Sequence, residues 1–429
     1  MTTERRLETR LHSIIGEIAQ GPYPDYIDDV LAGTARRRQR PRWTFPERWL
    51  PMDIAAQPLQ GTRRIPWRGL ALLAVLLLAL AGAIVLAGGR PHVAPPFGRA
   101  ANGLVAYALG GDIKAVDVVT GKKTSLITGP ENDSEPVYSA DGTRFAFARS
   151  ADGDRNDLVV ARSDGTGIVK LTPTPLLGLS RWSFSPDGRS VVAVADVDGR
   201  TQLLIVPSDG SAAPRFFDVG VTWDRWSPRY RSDGSEILFV GMPDETRFSG
   251  VHALDPDTGV VRTIVEGTAA AEVSGAAWSP DGSRIAYDVH DSRDPDATAW
   301  VHVVASDGSG DKRLAAPADV LSFDGLAWSN DGTRLIVVES TTSASEYSLS
   351  NRSVVVPVDG TATRVVLDCR PGGMPDCSGN FRVWSPDDST LIGSLNEGEA
   401  HYLADPVTGS IWPSAWGGQG EPAWQRLAP

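Results

Sequence analysis

The sequence predicts an all-β protein, a β-propeller, preceded by a transmembrane helix and a short α-helical N-terminal segment. Two observations carry this prediction. An uncharged apolar run occupies residues 69–89, and a turn signature recurs six times in the chain that follows. An apolar run of about 20 residues is long enough to cross a bilayer. A repeat of roughly 40–50 residues is the period expected of propeller blades.

The apolar run is bracketed by Arg68 and Arg90, and Leu, Ala, Val and Ile make up nearly all of it. Arginines are frequent over residues 36–68, whereas only Arg90 and Arg99 follow the run closely. Because cytoplasmic flanks collect Lys and Arg, we expect the N-terminus inside and the C-terminal part outside. A cleaved signal peptide has a short charged region and an apolar core of about 7–15 residues. The 68 residues before this run favour an uncleaved, single-pass anchor in the cell membrane.

Four segments follow from this reading. They are a cytoplasmic basic helical segment (1–68), the transmembrane helix (69–89), a linker (90–101) and an extracytoplasmic β-propeller (102–429). Residues 1–68 hold 12 Arg against 8 Asp and Glu, a net charge of +4. Because the whole chain has a net charge of −12, the remaining residues carry a net charge of −16. An acidic outer domain argues against nucleic acid as its partner.

The inner segment begins with an amphipathic pattern over residues 5–20, since Leu7, Leu11 and Ile14 recur at helical spacing. Inner helices, an Arg/Trp stretch, one span and an outer domain together resemble bacterial one-span regulators, including anti-sigma factors. The zinc-binding His-x-x-x-Cys-x-x-Cys pattern of many anti-sigma domains is absent, because His12 stands alone. The alternative is that the arginines are only a topology signal and the helices a small solvated tail.

The recurring signature consists of an aromatic residue, two residues that are often Ser and Pro, then Asp and Gly. Its Asp residues are 46, 46, 48, 50 and 56 positions apart. The aromatic, Asp and Gly positions are Tyr138, Asp141 and Gly142; Phe184, Asp187 and Gly188; Tyr230, Asp233 and Gly234; Trp278, Asp281 and Gly282; Trp328, Asp331 and Gly332; and Trp384 with Asp387. The copies depart from the pattern at Ala140, Arg231-Ser232, Asn330 and Asp388.

Each copy predicts a tight hairpin, because Asp and then a glycine with positive φ close such turns. The aromatic residue lies on the preceding strand and can pack between neighbouring sheets. A four-stranded unit of this length cannot bury both of its faces alone, whereas radial repetition buries them.

The two ends of the outer domain complement each other. Residues 103–109 read as a strand without a signature ahead of it, and the stretch around Trp424 reads as the start of a unit with nothing after it. We therefore expect the strand of Trp424 to pair with the strand of Gly103 in a composite blade. Six turns and this blade predict seven blades; six is the alternative.

The signature resembles the TolB-like, WD40-like β-propeller repeat, from about Asn102 to Pro429. The resemblance implies a ring of six to eight blades. In that family function ranges from protein-binding scaffolds to accessory domains of peptidases, so fold alone does not fix function.

The sequence contains no strong catalytic or metal-binding motif. The Gly-x-Ser-x-Gly motif of serine hydrolases is absent. Residues 152–156 lack the Gly and Glu that a calcium loop needs. The cluster of His290, Asp291, Asp294 and Asp296 has no second His or Cys nearby, so a polar loop is favoured over a metal site. We predict no catalytic, cofactor-binding or metal-binding residues and no cofactor.

Cys369 and Cys377 are the two cysteines, and they enclose a turn-rich stretch. Such a stretch can bring two Cα atoms within the roughly 4.4–6.8 Å that a disulfide allows. Because oxidised pairs persist outside the membrane, a structural disulfide is expected.

The expected function is non-enzymatic: a membrane-anchored module that binds an extracytoplasmic protein, peptide or glycan, with sensing or signalling across the membrane. One alternative is an anti-sigma-like regulator that acts on a cytoplasmic regulatory protein through residues 1–68. The other is an enzyme, a hydrolase or lyase, with its active site in the propeller channel. Converging His, Arg and carboxylates in the channel favour the enzyme, and apolar or small residues there favour binding.

Overall fold

The computed structural model of the protein describes residues 97–152, 154–220, 228–242, 248–294, 297–314, 320–340, 351–369, 379–395 and 400–428. The chain divides into two units, Met1–Gly89 and Arg90–Pro429, and the described residues all belong to the second. The predicted inner helices and the apolar run 69–89 lie outside the described residues, so both stay predictions. None of the described residues belongs to a helix with the length and apolarity that a membrane span requires.

The described residues form twenty-eight β-strands and no helix, which confirms the all-β propeller class. One four-stranded sheet has the order β28 (Gln419–Leu427), β1 (Ala101–Leu109), β2 (Asp112–Val116), β3 (Lys123–Ile127). An eight-stranded sheet contains β4 (Asp133–Tyr138), β5 (Arg144–Asp152), β6 (Arg155–Arg162), β7 (Val169–Lys170), β8 (Leu176–Phe184), β9 (Ser190–Val197), β10 (Arg200–Pro207) and β11 (Arg215–Phe217).

The other sheets of the described chain have four antiparallel strands each, in chain order. They are β12 (Arg229–Tyr230), β13 (Ile237–Gly241), β14 (Gly250–Leu254) and β15 (Val261–Val265); β16 (Glu272–Trp278), β17 (Arg284–His290), β18 (Trp300–Ala305) and β19 (Lys312–Arg313); β20 (Ser322–Trp328), β21 (Arg334–Ser340), β22 (Asn351–Pro357) and β23 (Arg364–Asp368); and β24 (Gly379–Trp384), β25 (Leu391–Leu395), β26 (Ala400–Ala404) and β27 (Ile411–Pro413).

The eight-stranded sheet consists of two such units, β4–β7 and β8–β11. They are joined where β6 pairs with β8, at Arg155 opposite Leu177 and Asn156 opposite Leu176. The same four-stranded unit is therefore the building block throughout the described chain.

The first and last strands of the propeller pair with each other, as the sequence predicts. In this antiparallel pair Val105 lies opposite Trp424 and Asn102 opposite Arg426. The Trp424 indole also donates from Nε1 to the backbone oxygen of Gly103 at 3.2 Å. The composite sheet thus joins the two ends of the domain.

The recurring Asp stabilises its own turn. In the first copy Gly142 N donates to Ser139 O at 2.9 Å, and Asp141 Oδ1 accepts from Ser139 Oγ at 2.5 Å and from Thr143 N at 3.0 Å. The glycine has φ of +67°, a conformation that side chains with Cβ avoid. The sixth copy has Asp388 in this position, with φ of +63°.

The core lies between neighbouring sheets. Trp328 is 8% exposed and packs with Val301 of β18 and Leu335 of β21, residues from two adjacent sheets. Its Nε1 donates to Ala277 O of β16 at 3.0 Å. The aromatic position of the repeat therefore fills the gap between one blade and the next.

An arginine after the turn fastens adjacent blades. The guanidinium carbon of Arg284 lies 5.0 Å from the centre of the Trp328 ring, and its Nη2 donates to Gly332 O at 2.8 Å. Arg144 donates to Gly188 O in the same way at 2.7 Å. Each such arginine reaches the turn of the following blade, so the repeat specifies contacts between blades as well as strands.

Candidate functional site

A central channel is formed by the innermost strands β28, β4, β8, β12, β16, β20 and β24. One part, about 460 Å³, is lined by residues from all seven of these strands. A second part, about 580 Å³, shares Val137, Arg181, Arg229 and Glu421 with the first and extends toward Trp182 and Trp424. The two parts are therefore continuous, and we call them together the channel.

Bulges in the inner strands place charged residues on the channel wall. The pairing of β4 with β5 is irregular between Ser134 and Val137, and Glu135, inside that bulge, has φ of +52°. The pairing of β8 with β9 is irregular between Ser180 and Ser183, and Arg181 has φ of +55°. Bulges redirect side chains and are common beside functional sites.

Four charged residues on four consecutive inner strands form the centre of the candidate site. They are Glu421 on β28, Glu135 on β4, Arg181 on β8 and Arg229 on β12. Within the described part of the chain, none of the four has a hydrogen-bonding partner or an ion-pair partner within 4.0 Å. We call these four residues the channel quartet.

The charges of the quartet influence one another. Burial raises the pKa of Glu135, the Arg181 guanidinium lowers it, and the Glu421 carboxylate raises it further. Burial lowers the pKa of Arg229 and the Glu421 carboxylate raises it. The Arg229 side chain is exposed and lines the channel. Opposite charges thus lie near each other without closing an ion pair.

Two buried donors on the same wall lack acceptors among the described residues. Trp182 is 2% exposed and Tyr138 is 9% exposed, and neither the Trp182 Nε1 nor the Tyr138 hydroxyl has a hydrogen-bond partner. Both residues line the 580 Å³ part of the channel. Burial raises the pKa of Tyr138, so its hydroxyl stays protonated and remains a donor. Buried donors without acceptors are rare, so each needs a specific explanation.

Further charges line the channel, and Arg426 lines both of its parts. Arg426 Nη1 donates to Asn330 Oδ1 at 2.6 Å, and its Nη2 donates to Gly98 O at 2.6 Å. Arg382 lines both parts and Asp324 lines the 460 Å³ part, and both residues have partners of their own. The quartet is therefore distinguished from these residues by its lack of partners.

The residues predicted from the repeat divide into two groups. Trp424 lines the 580 Å³ part of the channel. The six aromatic residues of the signature line the 460 Å³ part: Tyr138, Phe184, Tyr230, Trp278, Trp328 and Trp384. The aspartates are engaged in their own turns. Burial opposes ionisation of Asp331, but hydrogen bonds from Thr333 and Ser329 outweigh it and lower its pKa to about 2.

The remaining candidates lie away from the channel. Cys369 is 8% exposed and disulfide-bonded; its predicted partner Cys377 lies outside the described residues, so the pairing stays a prediction. Asp291 forms an ion pair with Arg293 at 2.7 Å, and Asp296 lies outside the described residues. No three His, Cys, Asp or Glu side chains of the described residues are placed to hold a metal ion.

The channel quartet was not found by sequence reasoning, although the sequence contains a signal for it. Glu135, Arg181 and Glu421 each stand three residues before the repeat's aromatic residue on an inner strand. A charge at this fixed offset from the aromatic residue recurs on three inner strands. That offset could have identified three of the four residues.

Comparison with known proteins places this architecture in a family. The sequence profile described as PD40, the TolB beta propeller domain, matches residues 90–330, more than half of the chain. The chain belongs to the TolB beta propeller domain family. The predicted resemblance to TolB-like repeats is thereby confirmed.

Proteins similar to this TolB-family chain include an uncharacterized peptidase, a lyase and TolB itself. The chain is 30% identical over 125 residues to the uncharacterized peptidase YuxL of Bacillus subtilis, a match that covers 26% of the chain and only 18% of that peptidase. The fold is similar to that of an oligogalacturonate lyase in complex with manganese, with a TM-score of 0.50, 16% identity, and coverage of 74% and 85% of the two chains. TolB from Acinetobacter baumannii has a TM-score of 0.46 and 15% identity, with coverage of 81% and 71%. At these identities the structural similarities concern the fold alone.

Proposed function

We propose that this chain is a membrane-anchored, extracytoplasmic binding module and that its ligand occupies the propeller channel. The observation that carries the proposal is the channel quartet, four charges without partners among the described residues. The Glu135, Arg229 and Glu421 side chains are exposed and Arg181 is half-buried, so a ligand in the channel can reach all four charges. A ligand that supplies the missing partners therefore gains these interactions without breaking existing ones.

The wall of the channel supports binding in a second respect. Pockets for small ligands combine apolar and aromatic surface with a few polar groups that fix orientation. Here Trp182 and Trp424 supply aromatic surface beside Arg181 and Glu421. The ligand class extends to a peptide segment of a protein partner or to a glycan, because both combine apolar faces with polar groups.

We further propose that the four-stranded units close a ring of seven blades. Six units follow one another along the chain, and the seventh is the composite sheet of β28 with β1–β3. Its position between the chain ends supports closure of the ring.

The topology of the whole chain is part of the same proposal. The run 69–89 anchors the protein, the N-terminus lies in the cytoplasm, and the basic segment 1–68 meets a cytoplasmic regulatory protein. Intact mass of the protein from isolated membranes tests the anchor. Retention of residues 1–68 is expected, whereas a mature N-terminus near Ala83 contradicts an uncleaved span.

An enzyme with its active site in the channel is the second candidate. Glu135 favours it, because a carboxyl whose pKa is raised is suited to general acid–base catalysis and four arginines line the same cavity. Against it stands the absence of a His among the described residues that line either part of the channel.

Ligand-observed NMR on the full-length chain tests the binding proposal. Pools of amino acids, short peptides and oligosaccharides are mixed with the wild type and with a Glu421→Gln/Arg229→Met variant. A Glu131→Gln/Arg189→Gln variant is the control, since it loses the same two charges at exposed positions. We expect at least one pool member to bind the wild type and the control but not the channel variant. No binding by any pool, or binding that the channel variant retains, contradicts the proposal; conversion of a bound compound supports the enzyme.

A further inference from the structure

We propose that the channel recognises a small zwitterion, an amino acid or a short peptide with both ends free, whose ammonium group faces Glu135 and Glu421 and whose carboxylate faces Arg181 and Arg229. This inference rests on the proposed binding function and names the ligand class for the same site.

The two signs of charge are separated on the channel wall. Glu421 and Glu135 belong to β28 and β4, which are in contact, and Arg181 and Arg229 belong to β8 and β12, which follow next around the channel. Arg382 and Arg426 line the same cavity but have partners of their own. Among the charges without partners, the two on one side are therefore acidic and the two on the adjoining side are basic. A ligand with its charges at opposite ends matches this division in one orientation only.

The basic side is suited to a carboxylate. A guanidinium presents a planar set of N–H donors that matches a carboxylate in two-pronged pairs. The Trp182 Nε1 and the Tyr138 hydroxyl add two buried donors without acceptors among the described residues. Carboxylate and peptide carbonyl oxygens are acceptors, so they satisfy donors of both kinds.

The acidic side is suited to an ammonium group. An ammonium carries three donors and no acceptor. The Glu421 carboxylate opposes ionisation of Glu135, which means that the two negative charges lie near enough to repel each other. A cation between them replaces this repulsion with two attractions.

The balance of the charges without partners favours one ligand class; Arg382 and Arg426, which also line the cavity, already have partners. The quartet has two positive and two negative charges, so a neutral ligand with separated charges compensates all four. An acidic sugar leaves Glu135 and Glu421 uncompensated, and a polyamine leaves Arg181 and Arg229 uncompensated. The cavity of about 580 Å³ lies within the range of roughly 300–1,000 Å³ typical of small-ligand sites.

The test is isothermal titration of the full-length chain with three forms of trialanine: unmodified, N-acetylated and C-amidated. We expect each block to weaken binding at least tenfold. In Glu421→Gln acetylation should no longer matter while amidation still does, and in Arg229→Met the reverse should hold. The Glu131→Gln/Arg189→Gln control should reproduce all three wild-type affinities.

The outcomes separate this inference from the binding proposal on which it rests. Equal affinity for all three peptides, or binding of oligosaccharides to the channel with no binding of any trialanine form, overturns the zwitterion and leaves the binding module intact. Absence of any channel-dependent ligand in the NMR pools overturns both. An exchange of selectivity between the Glu421 and Arg229 variants supports the proposed orientation.

Discussion

The side-chain amide of Asn330 donates from Nδ2 to Asp388 Oδ1 at 2.9 Å, and the backbone N–H of Asn330 donates to the same oxygen at 2.6 Å. Both residues are departures from the repeated turn: Asn330 stands where proline is common, and Asp388 stands where glycine is usual. Arg99 Nε also donates to Asp388 Oδ2, at 3.1 Å. The two departures, in neighbouring blades, are therefore hydrogen-bonded to each other. Asp388 also binds Arg99, near the start of the domain.

The first prediction concerns Asp388→Gly, which restores the glycine of the repeat. The left-handed backbone costs a residue with Cβ about 1–2 kcal/mol, so glycine alone would stabilise. The side chain of Asp388 is fully buried and accepts hydrogen bonds from Asn330, Asp331 and Arg99; bonds to charged groups contribute about 1.5–3 kcal/mol each. We expect a net loss of about 2–3 kcal/mol in the free energy of unfolding, measured in urea. Asp388→Asn should lie between the two, and a gain in stability for Asp388→Gly would refute the compensation.

The second prediction concerns the aromatic position between blades. Truncation of Trp328, which is 8% exposed, should cost about 3–5 kcal/mol, the range for large core side chains. Trp412 is 39% exposed on the outer strand β27, so Trp412→Ala is the matched control and should change stability by less than about 1 kcal/mol. Equal denaturation midpoints for the two variants would show that the aromatic position does not carry the interface.

The third prediction tests closure of the ring. A Cβ added to Gly142 would overlap the backbone oxygen of Arg426 on the last strand, whereas a Cβ on Gly121 meets nothing within 4 Å. The two glycines have φ of +67° and +69°, so alanine costs about the same backbone strain at both. We expect Gly142→Ala to lower the melting temperature clearly more than Gly121→Ala. The same shift in both variants would mean that the last strand is not seated against this turn.

The fourth prediction concerns pH. His401 is 1% exposed and stacks on Trp416, and burial lowers its pKa. The unfolded chain then binds this proton more readily than the folded one, so stability is full above the ordinary pKa of about 6.5 and is lost as pH falls below it. His401→Phe should remove this part of the pH dependence. Melting temperatures of the two proteins between pH 7.5 and 5.5 measure it; parallel curves would argue against a buried neutral imidazole.

The propeller class was predictable because its signals are local and repeated. A turn such as Ser139–Gly142 needs only its own Asp, Ser and Gly, so four adjacent residues specify it, and six copies exclude chance. The pairing of Trp424 with the first strand was predictable for a related reason, since two incomplete units complement each other.

The candidate site was not predictable in the same way. Glu135 and Arg181 reach the channel through bulges and left-handed backbone, which interrupt the alternation from which facing residues are read. Their meeting with Arg229 and Glu421 depends on the arrangement of the blades around the channel, which no single repeat contains. Likewise, Asn330 and Asp388 are two separate departures from the repeat in the sequence, and only the packing of adjacent turns shows that they are hydrogen-bonded to each other.

The composite sheet has a consequence for biosynthesis. The edge of β1 that faces β28 has no partner until the last nine-residue strand is made, and Gly103 and Trp424 are 321 residues apart. Contacts between such distant residues form slowly, and an unpaired strand edge invites aggregation. A chain truncated before β28 keeps this edge of β1 unpaired. Premature termination of translation is therefore expected to give an aggregation-prone product.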